Sequence, residues 1–127
     1  MHRSRLSTFV IDCKVDDLDA AAEFWSKALH RELHPPDADD PGYRQLTASD
    51  DEPLLLLQKV EHDSRIHLDI ESDDLDAEVA RLEKLGARRI KFVKRWWVMQ
   101  APTGQVFCVV RPQRGPLADK PNANEWP

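Results

Sequence analysis

Apolar residues along the chain fall into short strand-like runs, interrupted by two stretches with helical spacing. The first run, "STFVIDC" (Ser7–Cys13), is short, apolar and β-rich, which predicts a strand. Behind it, Leu18, Ala21, Ala22, Trp25 and Leu29 recur at the spacing of one helix face. Asp17 stands where an N-cap belongs, and Asp19 adds negative charge to the first turn, where the helix dipole favours it. The plan then repeats. "RIHLDIE" (Arg65–Glu71) alternates with period two, and Leu75, Val79, Leu82 and Leu85 form the inward face of a second helix that Gly86 stops.

Each helix is followed by short β-like runs divided by turn signals. In the first half these lie around Glu32–His34, in "YRQLTA" and in "LLLLQKV", separated by "PPDADDPG" and "SDDEP". In the second half they are "RRIKFV", "WWVMQ" and "VFCVV", with "APTG" as the last turn. The pentapeptide "DDLDA" occurs at Asp16–Ala20 and again at Asp73–Ala77, 57 residues later. The same shift superposes Ser7 on Ser64, Asp12 on Asp69, Trp25 on Leu82 and Lys27 on Lys84, so the match extends over strand and helix alike. Aligning the final strands, with Leu56 against Cys108, needs a shift of 52, which fits the longer Pro/Asp loop of the first half. The pattern predicts an α+β fold of two tandem βαβββ modules, about 6–60 and 64–112, in one domain spanning 1–113. Residues 114–127, rich in Pro and Asn, are expected to form an extended or frayed tail.

Composition narrows the picture further. A chain of 127 residues suits one domain with one shared core. A net charge of -5 disfavours nucleic acid and anionic membranes as partners. The N-terminus has no apolar h-region, and the longest apolar run, Leu54–Leu57, is far short of a membrane span, so a cytoplasmic protein is expected. Cys13 and Cys108 lie inside apolar strands and read as reduced, buried thiols. "ARRIKFVKR" is basic and abuts Trp96 and Trp97, a combination found on nucleic-acid surfaces. The acidic balance and the use of Lys and Arg to guard an edge strand favour the plainer reading, with no nucleic-acid partner. No GxGxxG, P-loop, HExxH or paired CxxC is present, which removes the common nucleotide and zinc readings.

"FVIDC", "AEFWSKAL", "RIHLDIESDDLDAEVARLEKLGAR" and "APTGQVFCVVRP" together resemble the glyoxalase-like domain proteins of the vicinal oxygen chelate superfamily, over about Leu6–Pro112. That superfamily includes glyoxalase I, extradiol dioxygenases and the bleomycin and fosfomycin resistance proteins. The resemblance implies a curved mixed sheet with the site on its concave side and the helices on its convex side. It also implies frequent homodimers. Metal-bearing members place a His or equivalent on the first strand of each module and a Glu or equivalent on the last. Carried over to this chain, those positions hold Val10, His67, Leu56 and Cys108, give or take one residue of register. One His and one thiol with two aliphatics do not make a hard-ion site, so neither a metal nor another cofactor is expected.

Period two puts His67, Asp69 and Glu71 on one face of their strand, and Val10, Asp12 and Lys14 on the equivalent face of the first. His67 beside a carboxylate suits a general acid/base or a ligand contact. Asp12 and Asp69 suit either ligand contacts or structural hydrogen bonds. Gln58 shares the parity of Leu56 and lines the same expected cavity. Trp96 and Trp97 point to opposite faces, one towards the core and one towards a cavity wall or interface. Cys108 is a small apolar filler unless a cation such as His67 activates it. Three functional classes follow: metal-independent small-molecule binding in the manner of bleomycin resistance proteins, a lyase or isomerase using His67 as acid/base with or without a metal, and a non-catalytic interaction module.

Overall fold

The structure is a computed structural model describing residues Met1–Pro127. The chain forms two compact units, Thr8–His67, and Met1–Ser7 together with Leu68–Pro127. Its elements are β1 (His2–Cys13), α1 (Leu18–Leu29), β2 (Tyr43–Leu46), β3 (Leu54–Lys59), β4 (Arg65–Ser72), α2 (Leu75–Lys84), β5 (Arg88–Val93), β6 (Trp96–Gln100), β7 (Val106–Val110) and β8 (Asn124–Trp126). The α+β class and the repeated strand–helix–strands order are as the sequence predicts. Neither helix is long and apolar enough to cross a membrane.

In the Thr8–His67 unit, α1 starts where Asp17 caps it, accepting from the backbone N–H groups of Asp19 and Ala20 at 3.0 and 3.3 Å. It ends at His30, whose left-handed backbone (φ 52°) lets its N–H close on the last turn. Strand β3 lies between β1, its parallel neighbour, and β2, its antiparallel one. Ile11, Cys13, Leu46 and Leu57 face α1 and bury Leu18 and Ala22 with them. By alternation Val10, Asp12, Leu56, Gln58 and Tyr43 lie on the face away from the helix. The strand expected at Glu32–His34 is reduced to a single bridge, Leu33 to Leu46, because the Pro-rich stretch after it carries the chain away from the sheet.

The other unit is built alike. Asp74 caps α2 by accepting from Ala77 N–H at 3.0 Å. Gly86 terminates it at φ +109°, where a Cβ would also stand 3.0 Å from the Pro102 ring. Strands β4, β7, β6 and β5 pair in that order. Val79 and Leu82 of α2 bury Met99 and Val109, with Ile70, Trp97 and Phe107 around them.

The C-terminal residues are not a frayed tail. A 3-10 turn at Leu117–Asp119 buries Leu117, and β8 pairs with His2–Ser4 of β1. Trp126 donates from Nε1 to Ser4 Oγ at 2.8 Å, and the Arg81 guanidinium lies 3.9 Å from the centre of its ring. Beneath it, buried Glu78 accepts from Arg81 Nε and Nη2, each at 2.8 Å, and lies 2.8 Å from His2 Nε2. Buried Glu71 accepts from Arg5 Nε at 3.1 Å and Gln113 N–H at 3.0 Å, while Arg5 Nη1 donates to Asn122 at 2.7 Å. These charged contacts hold both chain ends.

Burial pushes the Glu78 carboxyl up, but hydrogen bonds from Arg81, His2 and Ser4 outweigh it and hold the group below its ordinary value. Its stabilising contribution is therefore complete above pH 4.5, the ordinary value, and is lost as acid titrates the folded protein through the lowered one. Glu78→Gln should lower stability near neutrality by about 1–3 kcal/mol, the cost of a disrupted buried network. It should also flatten the acid limb of a plot of urea midpoint against pH.

Candidate functional site

Position 12 decides the chemistry of the helix-distant face in the Thr8–His67 unit. Its neighbours Ile11 and Cys13 bracket it in sequence, with Ile11 and Cys13 turned into the core, so the strand carries the Asp12 carboxylate out of water on the other side. Its side chain is 1% exposed. A buried carboxylate needs donors. One arrives from His67, whose ring Nδ1 lies 2.7 Å from Asp12 Oδ2. Arg65, two residues earlier on the same face of β4, brings its Nε to 3.6 Å from that oxygen, an ion contact beyond hydrogen-bond length. Asp12 Oδ1 is buried without a hydrogen-bond donor.

The carboxylate fixes the imidazole. Since an ionised Asp can only accept, the hydrogen between Nδ1 and Oδ2 belongs to His67. The His67 side chain is 12% exposed and that of Arg65 48% exposed. Across the sheet, Asp12 stands beside Gln58, whose Nε2 donates to Tyr43 Oη at 2.8 Å. The next row down pairs Val10 with Leu56, both aliphatic. The face thus carries a polar row, Tyr43–Gln58–Asp12–His67, above an apolar one.

In the other unit Asp69 and Cys108 are strand partners, and Cys108 is paired on its far side with Val98. They share the face away from α2. Trp96 has the parity of that face, whereas Trp97 packs towards α2, edge-on to Phe92 at 5.2 Å and beneath Arg89 at 5.0 Å. Core packing is thus the role of Trp97. Of the residues singled out from sequence, the Thr8–His67 unit brings together Asp12, Gln58 and His67, while Asp69, Trp96 and Cys108 lie in the second unit.

The register corrects one alignment. Asp12 pairs with Gln58 and its repeat partner Asp69 pairs with Cys108, so Gln58, and not Leu56, occupies the place equivalent to Cys108. In the metal-bearing pattern, module one would offer donors at Val10 and a last-strand position. Val10 offers none, the last-strand place holds Gln58, whose amide donates to Tyr43 Oη, and His67 turns Nδ1 to Asp12. These residues do not fit that four-ligand centre. The cysteines form no disulfide, as expected, and burial followed by the nearby Asp12 charge pushes the Cys13 thiol up, away from the reactive thiolate.

Arg65 and Tyr43 were not singled out from sequence. Arg65 had a usable signal, since it shares the parity of His67 in "RIHLD". Tyr43 had none, because its placement depends on the β2–β3 register.

Asp12→Ala should cost about 1–3 kcal/mol of stability, the loss of a buried hydrogen bond to a group left behind. Nitrogen-detected NMR should show His67 as the Nδ1–H tautomer in the wild type and a mixture in the variant. Cys13 should resist disulfide reagents in the native protein at mildly alkaline pH and react on unfolding.

A family model described as "Glyoxalase-like domain" matches residues 8–110. Among solved structures, methylmalonyl-CoA epimerase from Mycobacterium tuberculosis aligns over 86% of this chain and 88% of its own, at 24% identity and a TM-score of 0.59. A glyoxalase/bleomycin resistance protein/dioxygenase superfamily member from Vibrio splendidus 12B01 aligns over 86% and 99%, at 15% identity and a TM-score of 0.57. An extradiol ring-cleaving dioxygenase from B. fuscum matches 87% of this chain but 33% of its own, at 17% identity and a TM-score of 0.57. At these identities the likeness is one of fold. No curated protein matches the chain significantly in sequence.

Proposed function

The chain belongs to the glyoxalase-like domain family, and we propose that it binds a small organic molecule without a metal ion, on the helix-distant face of the Thr8–His67 unit. The observation that carries this reading is the pairing of two aliphatic residues, Val10 and Leu56, beside the hydrogen-bonded Asp12–His67 pair. The first supplies apolar contact area, with Val10 standing at one ligand place of the metal-bearing pattern. The second supplies a few fixed polar groups. An apolar surface with a small number of oriented polar groups is the usual make-up of a small-molecule site. Sequestration in the manner of bleomycin resistance proteins needs nothing more than this.

A second reading is favoured by one feature, the 2.7 Å contact between His67 Nδ1 and Asp12. A carboxylate that orients an imidazole and balances its positive charge prepares Nε2 to accept and return a proton, as a lyase or isomerase step requires. In that reading His67 is the acid/base and Asp12 a positioning residue.

Elemental analysis of protein purified without added metal should find no divalent ion at stoichiometric level; one metal per chain would overturn the metal-independent reading. A thermal-shift screen of small aromatic and heterocyclic compounds should give hits that weaken tenfold or more, about 1.4 kcal/mol, in His67→Ala. Hits indifferent to His67 would place binding elsewhere. Turnover of a hit, lost in His67→Ala and reduced in Asp12→Asn, would select the catalytic reading.

A further inference from the structure

The two units finish their strand edges differently. In the Thr8–His67 unit the outer edge of β2 is closed by the chain itself, with His34 N–H donating to Gln45 O and Thr47 N–H to Glu32 O, both at 2.9 Å. That cover is a single bridge ended by Pro35 and Pro36, a short and Pro-stopped edge of the kind that does not recruit another chain. In the repeat, the place of this bridge is taken by β5, a strand of 6 residues. Its bonded neighbour is β6, and no other part of the chain meets its outer backbone groups. We propose that the outer edge of β5 is an interaction surface that takes an extended acidic segment of another protein as an added strand.

The side chains specify this occupant. Strand pairing sets Phe92 opposite Trp97 on the α2 side, and Lys91 and Val93 opposite Val98 and Trp96 on the other. Phe92 is 50% exposed and Ile90 46%, so the edge interleaves large apolar residues with basic ones. Cations that only guard an edge need no such neighbours. Arg89 is balanced by Glu83 at 3.0 Å and lies over the Trp97 ring. Arg88 donates to the uncharged Gln100, and Lys91, Lys94 and Arg95 have no acidic partner. The strand and its turn thus form a positive strip on a chain whose net charge is -5. A second copy joined edge to edge is excluded, because a two-fold axis would set these cations against their own images. A strand that alternates acids with apolar residues fits instead. Its main chain pairs with β5, its acids meet Lys91 and the turn, and its apolar side chains lie beside Phe92. The register shift between Arg89 and Lys91 sets the regular part of the edge at Lys91–Val93, next to that turn.

Isothermal titration of the whole chain with three probes tests this: a capped hexapeptide of alternating Glu and Val, its counterpart with Lys for Glu, and a short oligothymidylate. The Glu/Val peptide should bind, and the Lys/Val peptide about tenfold more weakly, since like charges suppress wrong partners. Binding should slow amide hydrogen exchange within Lys91–Val93. Lys91→Glu combined with Arg95→Glu, both exposed changes outside the core, should abolish the preference for the Glu/Val peptide while leaving small-molecule binding as it was. Equal binding of the two peptides would overturn the proposal, and so would a preference that survives the double variant. Oligothymidylate binding as tight as that of the Glu/Val peptide would mark a general polyanion surface and overturn it as well. Peptide binding without slowed exchange at Lys91–Val93 would place the peptide elsewhere, and no binding of the Glu/Val peptide would leave the edge without its occupant; either result ends the proposal.

Discussion

A carboxylate withdrawn from water has to be met by donors, and that single requirement at Asp12 organises the site. Ile11 and Cys13 are committed to the core beneath α1, so the strand has no freedom to turn Asp12 outward. The imidazole of His67 then has to come to it, and in doing so it loses its choice of tautomer. The orientation of the ring, with Nδ1 held to Oδ2, and the approach of Arg65 as counter-charge are consequences of one buried oxygen pair. Even Cys13 feels it, since the adjacent negative charge adds to burial in keeping the thiol protonated.

The same physics has a different outcome in the second unit. Glu78 is met by His2, Ser4 and two nitrogens of Arg81, and Glu71 by Arg5 and the Gln113 N–H. Guanidinium groups meet these buried carboxylates with charged hydrogen bonds, which leaves the carboxylates no face to offer a ligand. Their work is to fasten the chain ends, with Trp126 closing over Arg81. At Asp12 the donor is instead an imidazole that keeps part of its surface, and the second carboxylate oxygen has no donor. Of the buried acids Asp12, Glu71 and Glu78, Asp12 is the one with no hydrogen bond from a guanidinium.

Local features of the sequence were read correctly because each depends on nearby residues alone. Asp17 and Asp74 cap their helices, Gly86 turns the chain at positive φ, and the strand runs fall where alternation and turn residues put them. The pairing of Asp12 with His67 was accessible too, because the duplication sets one strand's face from the other's. Long-range pairing was not. The three residues at Glu32–His34 have strand-like character but only Leu33 finds a partner, and no local rule says so. The docking of the C-terminus hinges on Arg5, Asn122, Ser4 and Trp126, residues more than a hundred positions apart that carry no shared periodicity. Trp97 and Trp96 were separable only as a pair, since alternation gives opposite faces but not which of them meets α2.

The register of the last strands explains how fold and ligand set come apart. Equivalent places hold Gln58 in one module and Cys108 in the other, each beside an aspartate. Parity survives between the modules because the helix-facing residues, Leu57 and Val109 among them, are fully buried, and a slip by one would drive every one of them to the wrong side. The opposite face is under no such constraint. There Val10 and its strand partner Leu56 can be aliphatic without any change to the packing of α1. Family membership therefore speaks for the helix-facing half of each strand, and the chemistry has to be read from the other half, residue by residue.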